Sequence, residues 1–361
     1  MFRDSYPVIP EVRKIAVLRA NLLGDLVFTL PALEALKQTH PEAEITLLGK
    51  PWHAEYLSHR LGPVDRVVVI PRVRGLGEPL DCVENADELE RFFARMNEER
   101  FDLAIQLHGG GLHSNPFVRR LGARVTVGLK TKDAIALDRS LPYAYYQHEI
   151  LRLLEAVALA GAKARIIEPR IYVTERDLKE LEEKLKLPDA PLVVLQPGAT
   201  DARRCWPPSS FAAVGDVLIE KGACVAINGT ALERPIVEAV MGEMKHKALD
   251  ASGLLSLCGL TGLLSRACLI VSNDTGSLHL AQAVGTATVG IYWFTNLLLE
   301  GSFTKARHRH VLSTRIHCPI CGKVNVNERC KHQDSFVADV TVEEVAALAI
   351  ELFESERHRK R

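Results

Sequence analysis

Short runs of apolar, often β-branched residues alternate along this chain with longer stretches whose apolar positions recur every three or four residues. The first pattern is that of strands buried on both faces and the second that of helices laid over them, so their alternation predicts βα units around a parallel sheet. The alternation occurs twice. In the first half the strands fall at residues 14–19, 44–48, 66–70, 102–107 and 124–127, and residues 148–160 close that half as an apolar-faced helix. The second half restarts with strands at 192–195, 224–228, 268–272 and 288–292, the first three each followed by a small-residue turn and a helix. Between the halves, "TERDLKELEEKLKLPDAP" is charged, helical in propensity and ended by prolines, which is the character of a solvated connector. The expectation is an α/β protein of two doubly wound, Rossmann-like domains facing a central cleft. Its parts are a domain at 1–175, a linker at 176–190, a domain at 191–340, and a C-terminal helix with a basic tail at 341–361.

Composition narrows the classes. A chain of 361 residues with 47% apolar content has ample core for two domains. Lys+Arg and Asp+Glu number 45 each, so the overall charge gives no electrostatic case for a nucleic-acid partner. The opening "MFRDSYPVIPEVRK" lacks the apolar core of a signal peptide, and no charge-free apolar run approaches the roughly 20 residues of a membrane span. A cytoplasmic protein is expected.

In doubly wound sheets ligands bind outside the carboxyl ends of the strands, so the turns that follow the strands carry the candidate chemistry. "VSNDTGSLHL" leads from a strand through Asn273, Asp274, Thr275 and Gly276 into a helix carrying His279. Gly276 permits close backbone approach, Thr275 offers a hydroxyl, and the helix start presents unpaired N–H groups, a set that suits a diphosphate. Asp274 or Thr275 as a plain helix cap explains the same composition. "LQPGATDARRCWPP" places Thr200 and the pair Arg203–Arg204 after another strand, ahead of a helix begun by Pro207–Pro208. In "INGTALERP" Glu233 stands where a carboxylate can accept from ribose hydroxyls or serve a helix dipole. In the first half, "RANLLGDLVFTLPAL" sets Asp25 just after the first strand, either as a helix cap or as a base.

Taken together, "LRANLLGDLVFTLPALEALKQTHPEAEITLLG", "LQPGATDARRCWP" and "VSNDTGSLHLAQAVGTATVGIYW" occur in the order seen in the heptosyltransferase-like glycosyltransferases of family 9, which this sequence resembles from about residue 14 to the C-terminal helix. "FDLAIQLHGGGLHSNPFVRRLGA" and "HEILRLLEAVALAGA" look like the family's middle elements. The resemblance implies the GT-B fold, an N-terminal acceptor-binding domain and a C-terminal domain for a nucleotide-sugar donor, usually ADP-heptose. It implies an inverting transfer that builds the lipopolysaccharide core, on a glycan or glycolipid acceptor met peripherally at the inner face of the membrane. Asp25 matches the family's catalytic aspartate. Thr200, Arg204, Glu233, Asp274, Thr275, Gly276 and His279 are the expected donor-binding residues, and Arg19, Asn21, Gly24 and His108 the expected acceptor-binding ones. Arg204 departs from the lysine usual before "WP", offering a planar fork in place of a compact ammonium, and Cys205 departs from a commonly basic residue. A different donor sugar, an epimerase, or a non-catalytic nucleotide-sugar-binding protein are the competing readings.

No cofactor or catalytic metal is expected, the nucleotide sugar being a substrate. One cluster bears on that expectation. In "HCPICGKVNVNERCKH", Cys318 and Cys321 have the spacing of a zinc knuckle, and Cys330 with His332 would complete four ligands. The Cys330-x-His332 arm is short for such sites, so reduced thiols packing a surface loop are the favoured expectation, with structural zinc as the alternative.

Overall fold

The computed structural model describes residues 6–326 and 328–357; the basic tail at 358–361 lies outside them. The chain divides into two compact units, Met1–Pro169 and Arg170–Arg361.

The first unit runs β1 (Lys14–Leu18), α1 (Leu23–Thr39), β2 (Glu44–Gly49), α2 (Pro51–Leu57), β3 (Arg66–Val69), α3 (Ala86–Glu98), β4 (Leu103–Gln106), α4 (Ser114–Arg119), β5 (Val125–Lys130), β6 (Arg139–Pro142) and α5 (Glu149–Ala158). Its six strands are parallel in the order β3-β2-β1-β4-β5-β6. β1 sits centrally, with Val17 opposite Leu47 on one side and Ile105 on the other. That position demands an apolar strand, and Ile15 to Leu18 are fully buried. α1 begins at Leu23, so Pro31 lies inside the helix.

The second unit runs α6 (Glu175–Lys184), β7 (Leu192–Gln196), a 3-10 turn (Ala202–Arg204), α7 (Pro208–Glu220), β8 (Cys224–Ile227), α8 (Arg234–Glu243), β9 (Leu249–Asp250), α9 (Leu257–Arg266), β10 (Leu269–Asn273), α10 (Gly276–Ala283), β11 (Ala287–Trp293), α11 (Phe294–Glu300), β12 (His308–Ser313) and α12 (Val342–Glu356). Its sheet has the order β12-β11-β10-β7-β8-β9, again all parallel. Read from the opposite edge this is the same connectivity as the first sheet. Each sheet therefore reverses direction between its first and fourth strands, β1/β4 and β7/β10. There the carboxyl ends of two strands open a crevice for ligands.

Three details differ from the sequence-based expectation. The units part after Pro169, and the stretch expected as a linker belongs to the second unit, because α6 packs on α9. The approach is close enough that a Cβ on Gly262 would lie 2.3 Å from the Asp177 carbonyl oxygen. α12 is likewise part of that unit's core, burying Val345, Ala349, Leu352 and Phe353 against Val193, Val271 and Val289. Finally, β6, β9 and β12 add strands that the apolar pattern does not mark. All three lie at sheet edges, where partial exposure permits polar residues such as those of "RSLP" and "HRHVLS".

Candidate active site

At the β1/β4 switch point of the first unit, Arg19 follows β1 directly and is 1% exposed. Its guanidinium donates to Asp25 Oδ1 at 2.6 Å, to Glu149 Oε1 at 2.8 Å and to the Leu107 carbonyl. Asp25 lies in the first turn of α1, and its other oxygen accepts the Leu22 N–H at 3.1 Å. The carboxylate is thus held from both sides. Its side chain remains 30% exposed, so it is oriented yet reachable. Glu149, at the start of α5, in turn pairs with Arg152, whose guanidinium donates to the carbonyls of Ala144, Tyr145 and Gln147.

His108, just past β4, accepts the Ala20 N–H on Nδ1 at 3.2 Å. Burial, reinforced by the Arg19 charge, pushes its pKa down to about 4, so it is a neutral imidazole near pH 7. It supports the backbone between β1 and Asp25. Asn21 and Gly24 lie in the same turn, and Asn21 Oδ1 is buried with no hydrogen-bond partner.

At the β7/β10 switch point of the second unit, Asp274 is fully buried, yet it is charged. Burial opposes its ionisation, but His279 and Arg204 outweigh it and hold the pKa below the usual carboxylate range. Arg204 Nη1 donates to Oδ2 at 3.0 Å, Asn296 Nδ2 donates to the same oxygen at 2.8 Å, and His279 Nε2 lies 3.1 Å from Oδ1. His279 also lies 3.6 Å from Glu300. Burial alone would discharge it, but the hydrogen bonds to Asp274 and Glu300 raise its pKa to about 9. The turn bearing Arg204 is pinned to the end of β10 through Asn273, which accepts the Trp206 N–H at 3.0 Å and donates to the Pro197 carbonyl at 2.7 Å.

This arrangement frees a helix start. Asp274 is committed to Arg204, His279 and Asn296, and Thr275 makes no side-chain capping bond to α10. The N–H groups at Gly276 and beyond therefore begin a helix with no side-chain cap, and the positive charge of Arg204 is held in place by Asp274, two residues before that helix. Glu233 reaches from the turn after β8 to the turn after β7: its carboxylate accepts the Thr230 N–H at 2.8 Å, and a Cβ on Gly198 would lie 2.1 Å from its other oxygen. A cavity of about 580 Å³ at this edge is lined by Thr200, Arg204, Asn296 and Glu300 among others. A second hollow of about 660 Å³, lined by Leu187, Pro188, Asp189, Ser265 and Arg266 among others, opens at the amino ends of the same strands.

The structure thus brings Arg204, Asp274, Thr275, Gly276 and His279 to one crevice, with Thr200 and Glu233 on its rim, and Arg19, Asn21, Gly24, Asp25 and His108 to another. Arg19, expected at the acceptor, has both terminal nitrogens of its buried guanidinium donating within the protein, to Asp25, Glu149 and Leu107. Glu149, Asn296 and Glu300 escaped sequence reading, and Asn273 was read only as part of its turn, without its partners Trp206 and Pro197. Each is an ordinary polar residue at a helix start, strand end or helix end, distinguished only by a partner distant in the chain.

Two doubly wound units of one connectivity, the first presenting a helix-borne carboxylate and the second an uncapped helix start beside a fixed arginine, form the architecture that this chain shares with solved glycosyltransferases of the GT-B fold. The chain belongs to glycosyltransferase family 9 (heptosyltransferase), whose model matches residues 89–331. It is 25% identical over 339 residues to lipopolysaccharide heptosyltransferase 1 of Pseudomonas aeruginosa, covering 92% of each chain. Its fold matches a family 9 glycosyltransferase of Veillonella parvula with a TM-score of 0.76 at 20% identity, over 95% of this chain and 97% of that one. It matches E. coli ADP-heptose LPS heptosyltransferase II equally, with a TM-score of 0.76 at 17% identity, over 95% and 99% of the two chains.

Proposed function

We propose that this protein is an inverting glycosyltransferase that moves heptose from ADP-heptose to a lipopolysaccharide core or a related glycan acceptor. The first unit takes the acceptor and the second the nucleotide sugar. The observation that carries the reading is the uncapped start of α10 beside Arg204, which suits the diphosphate of a departing nucleotide. In this reading Asp25 takes the proton of an acceptor hydroxyl as that oxygen attacks the anomeric carbon, a role supported by a carboxylate that Arg19 and the Leu22 N–H orient and that stays partly exposed. The anomeric C–O bond to the diphosphate breaks from the opposite face, its electron pair leaving with the nucleotide.

Names of relatives support heptose as the sugar and ADP as the nucleotide. Among the described residues no helix is long and apolar enough to cross a membrane. A cytoplasmic enzyme that meets a lipid-linked acceptor at the inner face of the membrane accords with that. Calorimetric titration with ADP-, UDP-, GDP- and CDP-sugars, followed by mass analysis of products on core acceptors, tests the proposal. Preference for an ADP-sugar and an acceptor enlarged by one heptose are expected. Donor turnover with no acceptor present would favour an epimerase and sink the transferase reading.

A further inference from the structure

The cysteine-rich stretch lies outside the chemistry described so far. Residues 317–324 fold back on themselves through a bridge between His317 and Val324, with the Cys318 N–H donating to the Lys323 carbonyl at 2.9 Å and the Gly322 N–H to the Cys318 carbonyl at 2.9 Å. This knuckle presents Cys318 and Cys321 on one side. The chain then returns, fixed where the Cys330 N–H donates to Asn325 Oδ1 at 3.0 Å, and brings Cys330 and His332 to the same point. The three sulfurs and one ring nitrogen all lie within 4.8 Å of one another, and Cys318 Sγ is 3.6 Å from His332 Nδ1.

These distances come close to a tetrahedral arrangement of donors around one ion. Bonds of about 2.3 Å from sulfur and 2.0–2.1 Å from nitrogen to a central ion give a tetrahedron with edges of about 3.6–3.8 Å, so little movement would close the cluster on an ion. The expected packing of inert thiols does not account for it: Cys318 is buried, but Cys321 is exposed and Cys330 half-buried. A disulfide would consume two thiols and leave a third converging on them without purpose.

We propose that Cys318, Cys321, Cys330 and His332 hold one tetrahedral transition-metal ion, with zinc the ion best suited to three thiolates and an imidazole. Each thiol gives its proton to solvent on binding. Four protein ligands leave no open position, so the ion is structural. Its place in the unit gives it a second consequence, which rests on the donor-site reading above. Asn325 accepts from Arg203 Nη1 at 3.4 Å, the Phe336 N–H donates to the Arg203 carbonyl at 2.8 Å, and Cys330 lines the same cavity as Arg204. The ion therefore fastens the loop that walls the nucleotide pocket.

The test is elemental analysis of the full chain, purified reduced and without chelator, beside Cys321→Ser and His332→Ala. About one transition-metal ion per chain in the wild type, with zinc foremost, falling about tenfold in both variants, is expected. Cobalt exchanged into the wild type should show the ligand-field absorption of a tetrahedral thiolate site. A metal-free wild type that takes up no added Zn²⁺ when reduced overturns the site, as does metal retained in both variants. Both variants should also melt lower than the wild type and bind ADP-sugar more weakly. Unchanged nucleotide affinity after metal loss would remove the link to the pocket and leave the site standing. Failure of the wild type to bind any ADP-sugar would fall on the donor reading alone, since metal content is read independently of it.

Discussion

Raising the pH should loosen the second unit at His279. In the folded chain this imidazole is wedged between Asp274 and Glu300, and its pKa stands at about 9 against an ordinary 6.5. A group whose folded pKa is raised contributes stability that is fully present below the unfolded value, declines as pH rises between the two, and is gone above the folded value. The gap of about 2.5 units, at about 1.36 kcal/mol per unit, corresponds to roughly 3 kcal/mol lost between about pH 6.5 and pH 9. Other groups titrate in that window, so the informative quantity is the difference between wild type and His279→Gln, whose amide cannot charge. Trp206 and Trp293 both lie in the second unit, and a Trp52→Phe background removes the first unit's tryptophan, so fluorescence in urea reads the relevant unfolding. Wild type should exceed the variant most at about pH 6, and the excess should shrink through about pH 9. A difference that stays flat across that range would refute the charged-imidazole argument.

Asp25→Asn keeps the size of the side chain and its acceptance of the Leu22 N–H but removes the basic carboxylate. Turnover should fall by about 10²–10⁴-fold with donor affinity unchanged in calorimetry. Arg204→Ala removes a fixed charge from the uncapped helix start; at about 1.5–3 kcal/mol for a charged hydrogen bond, ADP-sugar affinity should drop about 10- to 150-fold. Unaltered affinity in a folded protein would take Arg204 out of the site. Arg19→Met should cost roughly 2 kcal/mol, below the usual figure for breaking a buried ion pair because Asp25 and Glu149 keep some access to water. Thermal melts would read that loss, and assays should show Asp25 function falling with it.

Much of the local structure was legible in the sequence because its causes are local. A central parallel strand must be apolar on both faces, so β1, β4, β7 and β10 stand out as runs such as "IAVL" and "LVVL". The turns after them carry glycine, hydroxyl and charged residues next to one another, which is why Asp25, Arg204 and the Asp274–Gly276 turn could be singled out. Edge strands obey a weaker constraint. β6, β9 and β12 each face solvent along one side, tolerate polar residues and leave no apolar signature.

Only the tertiary structure decided which of these residues meet. Arg19 and Glu149 are 130 positions apart and Arg204 and Asp274 are 70, separations at which no periodicity carries information. Strand order sets those meetings: once β1 lies beside β4, and β7 beside β10, the turns at their carboxyl ends share a crevice. Burial then assigns the roles. Taken out of water, Arg19 turns its terminal nitrogens to Asp25, Glu149 and Leu107, while Asp274, bound to Arg204 and His279, stays ionised and leaves the start of α10 without a side-chain cap. The residue types were written in the chain; what they do follows from which charges the fold sets side by side and how much water it leaves them.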